Sequence, residues 1–329
     1  TPTKVYISRA TDHPKCRRCT NEACLTLSAP LDAAYSMSMM ASRLSRISLP
    51  TLLIPGVACT ARLWAPVLEH DNADSSGDWD AATSLRNVSD FVVPEKEIQE
   101  HSSIHDMAAA ILETAPDEFN LAGLSMGGYV AMELCRQAPE RVSRLALMST
   151  QARGDSEEVK KRRVSLIKVA EKKGMRAVIE MQAPMLLSEG VREHCPDIVE
   201  SVIQMAEESG VQAFVNQQTA CMTRKDSRAS LRHLPAHLEQ SLLIVCGRAD
   251  SVTPVASHRE MVKYLPGAAG VLCILDDCGH LCSVEEPKSV REMMRVWLNT
   301  HDLSEEELPW SEFEKTGRRH GSAFGEDAW

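Results

Sequence analysis

The run from Glu118 to Val130, EFNLAGLSMGGYV, leaves this chain few ways to fold. Phe119 to Ala122 is a short apolar stretch suited to a buried parallel strand, and Gly127 to Gln137 reads as a helix that stops before Pro139. Between them lies Gly123-Leu124-Ser125-Met126-Gly127. A serine on so abrupt a strand-to-helix turn is forced into a strained backbone conformation, and side chains two positions before or after it would collide with their neighbours. Both positions are glycine. Such a turn lifts the hydroxyl clear of the sheet and aims the first amides of the following helix at any negative charge beside it. Three matched positions also arise by chance in long chains. It is the flanking strand and glycine-led helix that make Ser125 a candidate nucleophile.

At 329 residues the chain has room for one large α/β domain, or a domain carrying a helical insertion. A net charge of -10, with no basic patch interleaved with aromatics, argues against a nucleic-acid surface. No apolar run reaches the length of about 18 residues that a transmembrane helix requires, so no membrane span is expected. Eleven cysteines, scattered and odd in number, suit reduced and partly buried thiols rather than a disulfide framework. These features predict a cytoplasmic protein. Organelle targeting is the alternative, because Ser36 to Leu49 carries Arg43, Arg46 and several serines with no acid.

Residues 1–48 lack sustained periodicity and are predicted to form a poorly structured extension. Within them His13, Cys16, Cys19 and Cys24 are potential zinc ligands, but they crowd into one short run instead of pairing across a turn. The organised part begins at Leu49. Thr51 to Ile54 and Phe91 to Val93 read as strands, residues 70–87 as a polar loop, and Ser103 as the cap of a helix through Ala115. Asn87-Val88-Ser89 matches a glycosylation sequon but has no secretory signal to support it. Leu145 to Met148 is a further strand.

From Gln151 to about Gln240 the pattern turns long, charged and helical, with helices expected over 156–173, 174–187, 191–209 and 211–223. Lodged between two strands, this block reads as a helical cap over the sheet's C-terminal edge. Met181, Met185, Met205, Phe214 and Met222 either line a substrate cavity or form the cap's own core. The sheet resumes at Ser241 to Cys246 and ends with Val271 to Leu275; a last helix runs from Glu286 to Trp297, and 301–329 read as a polar tail.

Several loops at strand ends carry chemistry. After the first strand, Pro55-Gly56-Val57 lets the chain turn sharply and leaves the Val57 amide as a donor for an oxyanion, although an ordinary strand-to-helix loop looks the same. Trp64 is expected beneath that loop. Asp250 follows the strand ending at Cys246 in a loop closed by Pro254; taken singly, such an acid also serves to cap the next helix. His280 lies in a glycine-preceded loop after the last strand, the position of a base more than of a core histidine. In a parallel sheet all strand C-termini share one edge, so Ser125, Asp250 and His280 can meet there.

The order nucleophile, acid, base, with a helical insertion before the acid, resembles the α/β-hydrolase superfamily. The resemblance covers about residues 50–300 and rests on Ile54-Pro-Gly-Val57, Gly123-Leu-Ser-Met-Gly-Gly128, Gly247-Arg-Ala-Asp250 and Cys278-Gly-His280. It implies a mostly parallel central sheet flanked by helices, with residues 49–150 and 241–300 as the core and 151–240 as the cap. Small esterases, enol-lactonases and C–C hydrolases are the most similar branch. Three features depart from the family: Pro55 stands where a histidine is usual, the family's opening antiparallel strands have no clear counterpart before residue 50, and residues 69–102 match poorly. The implied function is cleavage of a small-molecule ester or lactone by a Ser125-Asp250-His280 triad, with the amides of Val57 and Met126 as oxyanion hole and no metal or organic cofactor. C–C bond hydrolysis, thioester hydrolysis and a non-catalytic small-ligand receptor are the alternatives. Oligomeric state is left open.

Overall fold

A computed structural model describes residues 49–68, 85, 89–265, 271–299 and 313–315. The extension with its potential zinc ligands, most of the 70–87 loop, Asn87 of the sequon, and most of the tail lie outside the described residues. Six strands form a parallel sheet: β1 (Thr51–Ile54), β2 (Phe91–Val92), β3 (Phe119–Leu124), β4 (Val142–Met148), β5 (Leu243–Gly247) and β6 (Val271–Leu275). A seventh, β7 (Phe313–Lys315), pairs antiparallel with β6, giving the order β2-β1-β3-β4-β5-β6-β7. That last strand falls in the stretch read as tail. Three residues among charged neighbours are too few to show an alternation.

The strands are apolar nearly throughout because both faces are covered. Leu53, Ala122, Leu124, Ala146, Met148, Leu243 and Val245 point into one core, which the helix Pro287–Asn299 closes with Val290, Met293, Met294 and Trp297. Leu52, Ile54, Leu121, Leu145, Leu147, Ile244 and Cys246 point into the other, beneath the helices Ile104–Thr114 and Met126–Gln137. The Ile104–Thr114 helix starts as its sequence predicts, with the Ser103 hydroxyl accepting the Asp106 amide at 3.4 Å. The helix Glu95–Glu100 lies where the sequence reading gives none, and the helix expected after Asp250 runs over Val255–Tyr264. Among the described residues no helix is long and apolar enough to cross a membrane.

Between β4 and β5 lies an all-helical insertion: Glu157–Leu186, Glu189–His194, Pro196–Thr223, Arg228–Leu231 and Ala236–Gln240. The two long helices break at Gly174 (φ 80°, ψ 177°) and Gly210 (φ 82°, ψ 164°), the boundaries the sequence indicates. Such values suit only a residue without a Cβ. Met205 and Phe214 are buried in the core shared with the sheet, whereas Met181 is 52 % exposed and the Met185 sulfur meets Arg162 at 2.7 Å.

A buried charge ties the two ends of the insertion together at its root. Asp155, with a fully buried side chain, accepts from Arg163 Nε and Arg224, each at 2.6 Å. Arg224 also lies over the Tyr129 ring, 4.0 Å from its centre. Removing the carboxylate leaves two guanidinium groups facing each other in a desolvated space. Asp155→Ala is therefore expected to lower unfolding free energy by about 3–5 kcal/mol. Denaturant titration measures this, and a loss below about 1 kcal/mol would mean that the cluster behaves as an exposed pair.

Candidate active site

Ser125 closes the turn from β3 into the Met126–Gln137 helix with φ 56° and ψ -114°, outside the regions open to most residues. A Cβ on Gly123 would stand 2.3 Å from the Gly127 carbonyl oxygen, and one on Gly127 would stand 2.0 Å from the Ile54 carbonyl oxygen. Neither contact is tolerable. The turn is held from outside by the Ser125 amide donating to Met148 O (2.9 Å) and by the Thr150 hydroxyl donating to Ser125 O (2.8 Å).

The sheet edge brings the three sequence-derived candidates together. His280 Nε2 is 2.9 Å from Ser125 Oγ, and His280 Nδ1 is 2.8 Å from Asp250 Oδ2. An ionised carboxylate only accepts, so Nδ1 carries the proton and Nε2 is left to accept from the serine hydroxyl. Asp250 divides its oxygens: Oδ1 takes the amides of Val252 and Thr253, both at 2.8 Å, and Oδ2 takes the Thr253 hydroxyl at 2.8 Å besides the imidazole. Pro254, not Asp250, precedes the next helix. Asp250 and His280 are only 3 % and 2 % exposed. Burial pushes the Asp250 carboxyl up, but the charge and hydrogen bond of His280 and the two Thr253 donors outweigh it, and the pKa lies below the ordinary value. Asp276 and Asp277, nearer to His280 in sequence, are exposed; Asp276 pairs with Arg248 at 2.5 Å.

Val57 sits in the loop after β1, beside the serine turn: a Cβ on the preceding Gly56 would lie 3.3 Å from Ser125 Cβ. Among the described residues neither the Val57 nor the Met126 amide hydrogen has a protein partner. Trp64 is fully buried behind this loop. The His280 loop is stitched to the insertion, with the His280 and Leu281 amides donating to Leu186 O at 3.0 and 3.3 Å. Glu285 Oε2 spans the same seam, accepting from the Ser188 amide (2.8 Å) and the Gly279 amide (3.1 Å).

Comparison with known proteins agrees with this fold. The thioesterase domain family model matches residues 81–244, and the TAP-like protein family model matches residues 208–308. Among solved structures, a thermophilic esterase from Thermogutta terrifontis superposes with a TM-score of 0.62 at 24 % identity, covering 78 % of this chain and 91 % of that one. The enol-lactonase from Burkholderia xenovorans LB400 gives 0.62 at 18 % identity, covering 77 % and 92 %. A hydrolase from Pseudomonas aeruginosa gives 0.61 at 18 % identity, covering 77 % and 91 %. The chain belongs to the α/β-hydrolase superfamily. No curated protein matches it in sequence.

In this α/β-hydrolase the sequence reading missed two side chains that hold the site. Thr253 fixes Asp250, and its spacing of three residues after an acid in a loop is a turn signal that could have been used. His258 gave no signal, being one polar residue on a helix with a weak apolar face. It is fully buried, its Nε2 accepts the Thr150 amide at 3.0 Å, and its Nδ1 faces the Pro254 carbonyl at 3.3 Å. Thr150 in turn holds Ser125.

Burial lowers the His258 pKa from the ordinary 6.5 to about 4. The unfolded chain therefore binds a proton between these values that the folded chain refuses, so stability is full above 6.5 and is lost as pH falls toward 4. The loss amounts to about 3 kcal/mol. Asp250 acts in a separate window, below its ordinary 3.8. Urea unfolding at pH 7 and at about pH 4.5 should show the decline in the wild type and a smaller one in His258→Gln. Equal slopes would contradict the assignment.

Proposed function

We propose that this α/β-hydrolase cleaves a carboxylic ester or lactone of a small molecule through an acyl-enzyme on Ser125. The observation that carries the reading is the unbroken hydrogen-bond chain from Ser125 Oγ through His280 to Asp250, at 2.9 and 2.8 Å. His280 takes the hydroxyl proton as Oγ attacks the substrate carbonyl. Asp250 holds the tautomer and stabilises the imidazolium. Charge moves onto the carbonyl oxygen, where the Val57 and Met126 amides receive it, each worth about 3 kcal/mol in comparable sites. His280 then returns the proton to the leaving alcohol, and water, activated by the same nitrogen, releases the acid.

The helical insertion is read as a cap over this edge. The contacts of Leu186 and Ser188 with the His280 loop support that role, because they set insertion backbone directly beside the base. The similarity to an esterase and an enol-lactonase fits acyl chemistry at a carbonyl. Thioester hydrolysis is the second reading, favoured by the match of the thioesterase domain family model across the serine turn. Turnover of a panel of p-nitrophenyl esters, lactones and acyl thioesters separates the two; a folded protein that turns over none of them fits a ligand receptor instead.

A fluorophosphonate should label the protein at Ser125, since only an activated serine reacts at useful speed. Peptide mapping reads this out, and equal labelling of Ser125→Ala would remove the nucleophile from the scheme. The acid is tested separately: Asp250→Asn should lower kcat by about 10⁴-fold, the consequence of trapping the wrong tautomer, while Asp277→Asn costs far less. The reverse ranking would mean that the other carboxylate serves the base.

A further inference from the structure

Three consecutive amide side chains on the Pro196–Thr223 helix bond to three different places, two of them outside the insertion. Asn216 Nδ2 donates to Gln99 O at 2.8 Å, Gln218 Oε1 accepts from Arg163 at 2.7 Å, and Gln217 Oε1 accepts the Ala58 amide at 2.8 Å. Gln217 is fully buried. A buried carboxamide costs free energy unless its groups are paired, and here its nitrogen also donates to Ile98 O at 3.4 Å.

The partner of Gln217 is itself unusual. Ala58 has φ 58°, the left-handed region that alanine seldom occupies, and is 3 % exposed. The neighbouring peptides are tied by a tight turn from the Cys59 amide to Gly56 O at 3.3 Å. Ala58 immediately follows Val57, so the bond from Gln217 fixes the peptide plane next to the one that bears the Val57 amide. A strained residue persists only where its surroundings over-determine it. In this loop the outside restraint on the Ala58 amide comes from residue 217, in the insertion.

We propose that Gln217 is the positioning residue of the oxyanion loop, holding the Ala58 peptide so that the Val57 amide stays turned toward the developing oxyanion. This inference rests on the acyl-transfer reading above. It makes the insertion part of the catalytic geometry as well as a wall around the substrate. Gln217 touches no reacting atom and acts through the loop.

The test is Gln217→Met, which keeps side-chain length and removes the acceptor. End-point labelling of Ser125 counts competent sites. Per labelled site, kcat should fall roughly tenfold to a hundredfold with KM changed less than about twofold. Affinity for a trifluoromethyl ketone, which forms a tetrahedral adduct, should weaken by the same factor. A purely structural glutamine would lower the count of competent sites and leave kcat per site alone. Should Gln217→Met not fold, Gln217→Asn, one methylene short of Ala58, is read in the same way. Unchanged kcat per site in an active wild-type background overturns this inference alone, as does a fall in kcat without a parallel loss of ketone affinity. A wild-type protein with neither turnover nor Ser125 labelling overturns the acyl-transfer reading and this inference with it.

Discussion

At Ser125 the chain turns from β3 into a helix in a conformation that costs on the order of 1–3 kcal/mol, and much of the structure serves to hold it there. Gly123 and Gly127 give up their side chains so that the helix can approach the strand and β1 can pass beside it. Met148 and Thr150, at the end of β4, take the serine's backbone groups. His258 holds Thr150 from the far side. The strain thus has a chain of support running from the end of β3 through the end of β4 to the Val255–Tyr264 helix.

The electrostatics follow from burial. A carboxylate almost without solvent is tolerable at Asp250 because four donors surround its two oxygens: two amides, one hydroxyl and the imidazole. Their arrangement leaves His280 only one protonation pattern that satisfies every neighbour, with Nδ1 carrying hydrogen and Nε2 open to Ser125. The thiols nearby are of a different kind. Burial pushes Cys59, Cys246 and Cys282 up to about 12, so these sulfurs stay protonated at neutral pH.

The insertion and the sheet domain are joined by buried polar contacts in addition to apolar packing. Asp155 clamps its root, Leu186 and Glu285 join it to the His280 loop, and Gln217 joins it to the loop after β1. Two of these contacts lie within two residues of a group assigned to the chemistry. Such bonds gain strength where water is excluded from them.

By itself the sequence determined what depends on neighbours along the chain. The glycine pair around Ser125, the Ser103 cap, the breaks at Gly174 and Gly210 and the apolar strands β1 and β3 to β6 are local matters of sterics and periodicity, and each stands where the residues indicate. The meeting of Ser125, Asp250 and His280 was legible as well, since a parallel sheet gathers its loops on one edge. Tertiary structure alone decided which polar residues are buried and whom they face. His258, Gln217 and Glu285 sit on helices where a polar residue reads as solvent-facing, and β7 is too short to carry a pattern. Their partners lie roughly 100 residues or more away for His258, Gln217 and the Ser188 bond of Glu285. A hydrogen bond needs two groups within about 3 Å, and only the folded chain brings such distant groups to that distance.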